Sequence, residues 1–441
     1  MSLPFWSVTR WRYRLLVPTA VSDQRRWGGR SPAGDRTDLA IHLFWWDITY
    51  CFNGGLWTFD ERSPQSEMTC FAVIGGGGTS GHVLPAIAIG EALVDSGNEI
   101  SEIFYTGSQR GIETRLIPAT GMGYKFFQVT GLQRSFSLAA WKSNLLFVPR
   151  MLRARHQAIR LLQSMTPKVV VSVGGYASLP AVLAAKKLGI PIVVVSYDRT
   201  PGRSSSLTAR FAQKTAVAFP DSQLPRAVMT GAPVRRVVRS VDREQDRVAA
   251  RQRLGIDEER FFIGVIGGSQ GSGMLNEITQ QFVQRFADDD DLAVRHVVGP
   301  RFFDDFKNPV SSGQTRGVQY QVIAYEEHME DMYASVDLLI GRAGAGTIAD
   351  VAATGTPSIL IPWAGATDDH QTANAAWLTD SGAAIALKEG EVADLLIAKI
   401  EELRGNRQLL VTVARHAHAL GAQNRQGAIA ELIRSVAQGA R

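Results

Sequence analysis

Two glycine-rich turns each follow an apolar run: Ile74–Ala86, IGGGGTSGHVLPA, and Ile266–Ser272, IGGSQGS. Each reads as strand, turn and helix. That arrangement offers backbone N–H groups and the positive end of a helix to an anion, commonly a phosphate. In the first turn Gly78 is followed by Thr79, Ser80, Gly81 and His82, and the small residues let a ligand approach the backbone closely. His82 falls where the helix begins. A helix N-terminus disfavours imidazolium, so a neutral ring able to accept a proton is expected there; local capping or packing is the competing role. A third turn, Val173–Ser178, brings Gly174, Gly175 and Tyr176 to the same sheet edge, where ligand sites of parallel sheets collect.

The second half of the chain holds three further candidates. The turn with Gly268, Ser269, Gln270 and Gly271 suits a pyrophosphate. The stretch GRAGAGT, with Arg342, Gly344, Ala345, Gly346 and Thr347, leads into a helix carrying Asp350. That carboxylate is placed to bind vicinal ribose hydroxyls, or simply to complement the helix N-terminus. The stretch Pro362–Asn374 gathers His370, Gln371 and Asn374, whose side chains suit sugar hydroxyls; N-capping by Asp368 or Asp369 is the alternative reading.

Alternating strands and helices must position these turns. Strands are expected at Cys70–Ile74, Glu102–Tyr105, Lys125–Val129, Lys168–Val173 and Pro191–Ser196, with helices such as Pro85–Asp95 and Ile112–Ala119 between them. A second series covers Phe262–Ile266, Val294–Val298, Gln319–Ile323, Leu338–Ile340 and Ser358–Ile361. Continuous runs such as VVVSV and IVVV belong to strands buried on both faces of a parallel sheet. The fold class is therefore α/β: two Rossmann-like doubly wound domains facing a cleft. Their expected extents are 68–233 and 234–420, joined through Thr230–Glu244, with a helix in 421–441 free to return to the first domain.

Residues 1–67 differ from the rest. They hold six scattered tryptophans and arginines without sustained periodicity, and Met68 opens a short lead into a buried strand. An over-called translation start or a poorly ordered extension is expected; N-terminal peptide analysis tests this, and a mature start upstream of Met68 counts against it.

At 441 residues the chain has room for two or three domains, and 45% hydrophobic residues supply each with a core. A net charge of +5 fits an anionic partner such as a nucleotide or a lipid phosphate. No zinc-finger spacing or aromatic RNA-binding signature points to nucleic acid. The Asp288–Asp291 run reads as a solvated turn, and no metal site is expected. Two cysteines form no disulfide framework, and no apolar run approaches the ~20 residues of a membrane span. The stretch Leu138–Leu162 is amphipathic and basic, with Trp141, Leu145, Leu146, Phe147 and Met151 against Lys142, Arg150, Arg153, Arg155 and Arg160. It suits an anionic membrane surface, or an ordinary core-facing helix with a solvated basic side.

Taken in order, GGGGTSGHVLPA, VGGYAS, TGAPVR, GGSQGS, GRAGAGTIAD and DDHQTAN resemble the MurG glycosyltransferases, from about Met68 to the C-terminus. The resemblance implies a GT-B fold and inverting transfer without a bound metal or cofactor, UDP-GlcNAc being the co-substrate. It implies a lipid-linked muramyl-peptide pyrophosphate as acceptor, met at the cytoplasmic face of the plasma membrane by a peripheral enzyme. By matched position, Ser269 would contact the donor phosphate. Asp350 stands where the family usually has a ribose-binding Glu, and Gln371 and Asn374 match the sugar-reading amides. His82 would be a base or an acceptor-phosphate ligand, and Gly78–Gly81 with Gly174–Tyr176 would hold the acceptor.

Departures from the pattern cluster after the fifth strand. Where the family has His-Glu-x-Asn, this chain reads Val195-Ser196-Tyr197-Asp198, so Asp198 joins His82 as a candidate base. This departure keeps a second substrate reading open, a phosphoglycolipid intermediate of the moenomycin type with another UDP-sugar. An inert UDP-binding scaffold is a third. An NAD-dependent oxidoreductase is disfavoured, because the second strand ends in Phe104-Tyr105-Thr106 without the acid that a dinucleotide site requires.

Overall fold

The computed structural model describes residues 70–131, 147–310 and 316–439, all within one compact unit. Residues 1–67 and the Leu138–Leu146 half of the amphipathic stretch lie outside the described residues.

The first domain is a seven-stranded sheet in the order β3-β2-β1-β4-β5-β6-β7, parallel throughout. Its strands are β1 Ala72–Gly75, β2 Ile103–Ser108, β3 Gly123–Phe127, β4 Val169–Ser172, β5 Ile192–Ser196, β6 Lys214–Val217 and β7 Ala227–Met229. Strands β1, β4 and β5 are buried along their whole length, as their Val/Ile runs require of a sheet covered on both faces. The covering helices are α1 Ser80–Asp95, α2 Phe147–Met165, α3 Leu179–Leu188 and α4 Arg203–Ala209. In α2 only Ala154, Ala158 and Leu162 are buried, a stripe at helical spacing that packs on α3. Val148 and Leu152 stand on its exposed side.

The second domain repeats the plan with six parallel strands in the order β10-β9-β8-β11-β12-β13. They are β8 Phe261–Ile266, β9 Leu292–Val297, β10 Gln319–Ile323, β11 Leu338–Gly341, β12 Ser358–Leu360 and β13 Ile385–Ala386. Helix α5 Arg243–Leu254 leads in. Then come α6 Gly273–Arg285, α7 Met329–Ser335, α8 Ala345–Thr354, α9 His370–Thr379, α10 Val392–Gly405 and α11 Arg407–Leu420. The last helix, α12 Ala428–Gln438, packs against α1 and strands β4–β6 of the first domain, burying Ile429 and Ile433. Asn424 ties the crossing: its Oδ1 accepts from Ala232 N at 2.9 Å and its Nδ2 donates to Ala349 O at 3.2 Å.

In each sheet the strand order reverses beside its first strand, between β1 and β4 and between β8 and β11. Ligand crevices of open α/β sheets form there, at the carboxyl ends of the strands. All the glycine turns singled out above leave from those four strand ends.

A buried ion pair locks α5 to the second sheet. Arg251, 1% exposed, donates to Asp337 Oδ2 at 2.8 Å and to the carbonyls of Asp257, Glu258 and Arg260. Asp337 also accepts from Arg247 and from Phe262 N at the head of β8. Arg251→Met would leave Asp337 and these carbonyls without their shared donor, and a loss of about 3–5 kcal/mol is expected from urea unfolding.

Candidate functional site

The two domains enclose a cleft of about 940 Å³, a size suited to a nucleotide-sugar-sized guest. Its walls carry Thr79–His82 from the end of β1, Tyr197, Asp198 and Thr200–Arg203 from the end of β5, and Gly268 and Ser269 from the end of β8. Gly344–Thr347, Asp350 and His370 complete the set of expected residues on its surface.

His82 occupies the first turn of α1, which opens at Ser80, ahead of Pro85, where the expected helix began; the proline sits inside the helix. The imidazole Nδ1 lies 3.4 Å from the Tyr197 hydroxyl. The ring rests on the Gly174-Gly175 turn, whose residues have φ of +93° and +71°, and a Cβ on Gly175 would come within 2.7 Å of Cδ2. Glycine is needed there for both reasons. Burial pushes the His82 pKa below the usual histidine value, and the Asp198 charge pulls it partly back. His82 is thus held neutral, as a proton acceptor must be.

Several expected contacts are engaged elsewhere. Glu113, which the sequence reading passed over, fills the first glycine turn: its Oε1 accepts from Gly78 N at 3.0 Å and from Ser108 N at 2.9 Å. A Cβ on Gly77 would meet that oxygen at 2.3 Å. The Gly78 N–H is therefore already occupied by the Glu113 carboxyl, and the cleft begins one residue later. Gly174, Gly175 and Tyr176 lie behind the cleft surface; the Tyr176 ring packs under Gly78.

In the second domain, Gly271 folds back on Val298, whose carbonyl oxygen would lie 2.1 Å from an added Cβ, and neither Gln270 nor Gly271 lines the cleft. Arg342 is a buried strut, donating to Glu389 Oε1 at 2.6 Å, Ser272 Oγ at 2.9 Å and Ile361 O at 3.2 Å. Gln371 Oε1 accepts from Trp363 N at 3.0 Å. Asn374, fully buried, donates to Asp198 Oδ1 at 3.0 Å and accepts from Arg199 N at 2.9 Å.

What remains open to a guest is chemically coherent. The first turn of α8, behind N-cap Gly344, carries no acidic residue and no side-chain cap, and the same holds for α1 behind Thr79. Both helices are long enough to present a positive end to an anion. Asp350 stands one turn into α8 and accepts from the Tyr333 hydroxyl at 3.2 Å. Burial raises its carboxyl to about 7, against the pull of Arg235 and the Tyr333 bond. Arg115, Arg203, Arg235 and Tyr325 also face the cleft. Arg115 lies over the Tyr325 ring at 5.9 Å, a contact across the two domains. Only Arg235 carried a sequence signal, at the end of TGAPVR.

Models of two protein families match: the glycosyltransferase family 28 N-terminal domain over residues 72–217 and the family 28 C-terminal domain over 262–432. A curated relative from Desulforudis audaxviator is 33% identical over 375 residues, 83% of this chain and 98% of its own length. It is named UDP-N-acetylglucosamine–N-acetylmuramyl-(pentapeptide) pyrophosphoryl-undecaprenol N-acetylglucosamine transferase. A relative of the same name from Acidothermus cellulolyticus is 34% identical, covering 83% of this chain and 97% of its own. Among solved structures, MurG from Acinetobacter baumannii superposes with a TM-score of 0.60 at 25% identity, over 83% of this chain and 99% of its own.

Proposed function

The chain belongs to glycosyltransferase family 28, and on that premise we propose that it transfers GlcNAc from UDP-GlcNAc to a lipid-linked muramyl-peptide pyrophosphate. It is a UDP-sugar-dependent enzyme of GT-B architecture. The observation that carries the substrate reading is the shared cleft. A neutral histidine from the first domain and an uncapped helix N-terminus with the Ser269 turn from the second line one cavity.

The acceptor hydroxyl attacks the anomeric carbon of GlcNAc from the face opposite UDP, and His82 takes its proton. The bond from that carbon to the β-phosphate oxygen breaks as the new one forms, which inverts the centre. The departing pyrophosphate gains negative charge, and the α8 N-terminus and the Ser269 turn are aimed to stabilise it. Asp350 receives the ribose hydroxyls. Curated relatives named for this transfer favour it over the phosphoglycolipid alternative.

The acceptor's lipid places the reaction at a membrane surface. No described helix is long and apolar enough to cross a membrane. Exposed Val148 and Leu152 on α2, beside Arg153 and Arg160, are the described part of the surface we assign to anionic lipid. We place the enzyme on the cytoplasmic face of the plasma membrane.

A thermal-shift panel tests the donor assignment. UDP-GlcNAc and UDP should raise the melting temperature, with UDP-GalNAc and UDP-glucuronate weaker than UDP-GlcNAc. Absence of any shift with all four contradicts it.

A further inference from the structure

Asn374 has no exposed surface, yet it stands where the second domain meets the first. Its amide is engaged by the β5–α4 loop of the other domain. Oδ1 accepts from Arg199 N at 2.9 Å, and Nδ2 donates to Asp198 Oδ1 at 3.0 Å and to Ala343 O at 3.5 Å. Arg199 adds a bond from Nη1 to Ala373 O at 3.5 Å, while its Nε is held by Asp221 at 3.0 Å. A primary amide has two N–H donors. Both are occupied here, so Asn374 has no donor left for a sugar hydroxyl. Asp198 accepts that bond through Oδ1. The same loop then supplies Thr200–Arg203 to the cleft wall.

We propose that Asp198 and Asn374 form a latch between the domains, setting the acceptor-side loop against the donor-side helix α9. Asp198 is then a positioning residue, and His82 alone accepts the proton. This rests on the transferase reading above. An asparagine at position 198 keeps an oxygen that can accept the Asn374 bond, whereas alanine removes it and strands a buried N–H.

The experiment compares Asp198→Asn, Asp198→Ala, Asn374→Ala and the double alanine variant, with UDP affinity, acceptor KM, kcat and the radius of gyration by X-ray scattering. Asp198→Asn is expected to keep acceptor KM and the radius of gyration near those of the parent, because the Asn374 bond survives. Each alanine variant should raise acceptor KM by about 10-fold and enlarge the radius of gyration while keeping UDP affinity, and the double variant should match the singles. A loss of 10²-fold or more in kcat for Asp198→Asn would make Asp198 the base and overturn the latch. So would additive alanine effects, or an Asn374→Ala defect confined to donor affinity. If the parent enzyme shows no transfer, the functional reading fails separately. The scattering then decides the latch, which an unchanged radius of gyration for Asn374→Ala refutes.

Discussion

His82→Ala is expected to lower kcat by about 10²–10⁴-fold, the range a positioned general base supplies, while UDP affinity stays near that of the parent. The split follows from where the residue sits. His82 belongs to the first domain, and the proposed UDP contacts, Ser269, the α8 N-terminus and Asp350, all belong to the second. Burial holds the imidazole pKa below the normal histidine value. The acid limb of the kcat profile should therefore fall below about pH 6.5, the unperturbed histidine value. Gly175→Ala should reproduce part of the loss without touching the ring chemically, because the new Cβ displaces the imidazole and the backbone there has φ of +71°. Steady-state kinetics with calorimetric UDP titration checks both variants. Turnover retained in His82→Ala excludes it as an essential base.

Asp350→Asn is expected to weaken UDP binding by about 10–100-fold while making the protein more stable at pH 8. Two properties of one carboxyl are at work. In the folded chain burial, the leading cause, raises its pKa to about 7, against 3.8 for an ordinary aspartate. Between those values the native state keeps a proton that the unfolded chain has released, so stability falls as pH rises through the window. Above about pH 7 the full penalty is present, on the order of a few kcal/mol. Asparagine removes it, so the gain in melting temperature should grow from pH 5 to pH 8 and vanish below about pH 4. The loss of binding has a separate cause, since asparagine cannot accept both ribose hydroxyls with a full charge. The parent should discriminate against 2′-deoxy-UDP, and Asp350→Asn should discriminate less. Unfolding curves across pH and paired titrations of UDP and 2′-deoxy-UDP check the two halves.

Much of this architecture is legible in local sequence. The Val/Ile runs of β4 and β5 and the glycine turns after β1 and β8 mark buried parallel strands with ligand edges, and the strands stand there. Strands β7 and β13 escape notice because they are short edge strands, where burial imposes less of a pattern, and β6 because its four residues, Lys-Thr-Ala-Val, form no apolar run. Helix α1 extends beyond the expected Pro85–Asp95, the chain being helical already from Ser80 with Pro85 inside the helix.

The site is less legible, because spacing identifies which residues reach a sheet edge but not which partner takes them. Glu113 in the first glycine turn, Glu389 on Arg342 and Asp198 on Asn374 are distant in sequence from the groups they engage. No local pattern announces them. The two glycine turns also differ in use. The first is bonded to Glu113 at Gly78 and opens to the cleft from Thr79, whereas the second presents Gly268 and Ser269 directly.

The most direct test is transfer itself. Purified full-length chain is incubated with UDP-GlcNAc and a lipid-linked muramyl-pentapeptide pyrophosphate in detergent micelles, and the lipid product is analysed by mass spectrometry. The expected result is an acceptor heavier by one N-acetylhexosamine, β-linked, with one UDP released per product and none from His82→Ala. UDP binding without any change in that acceptor would contradict the account.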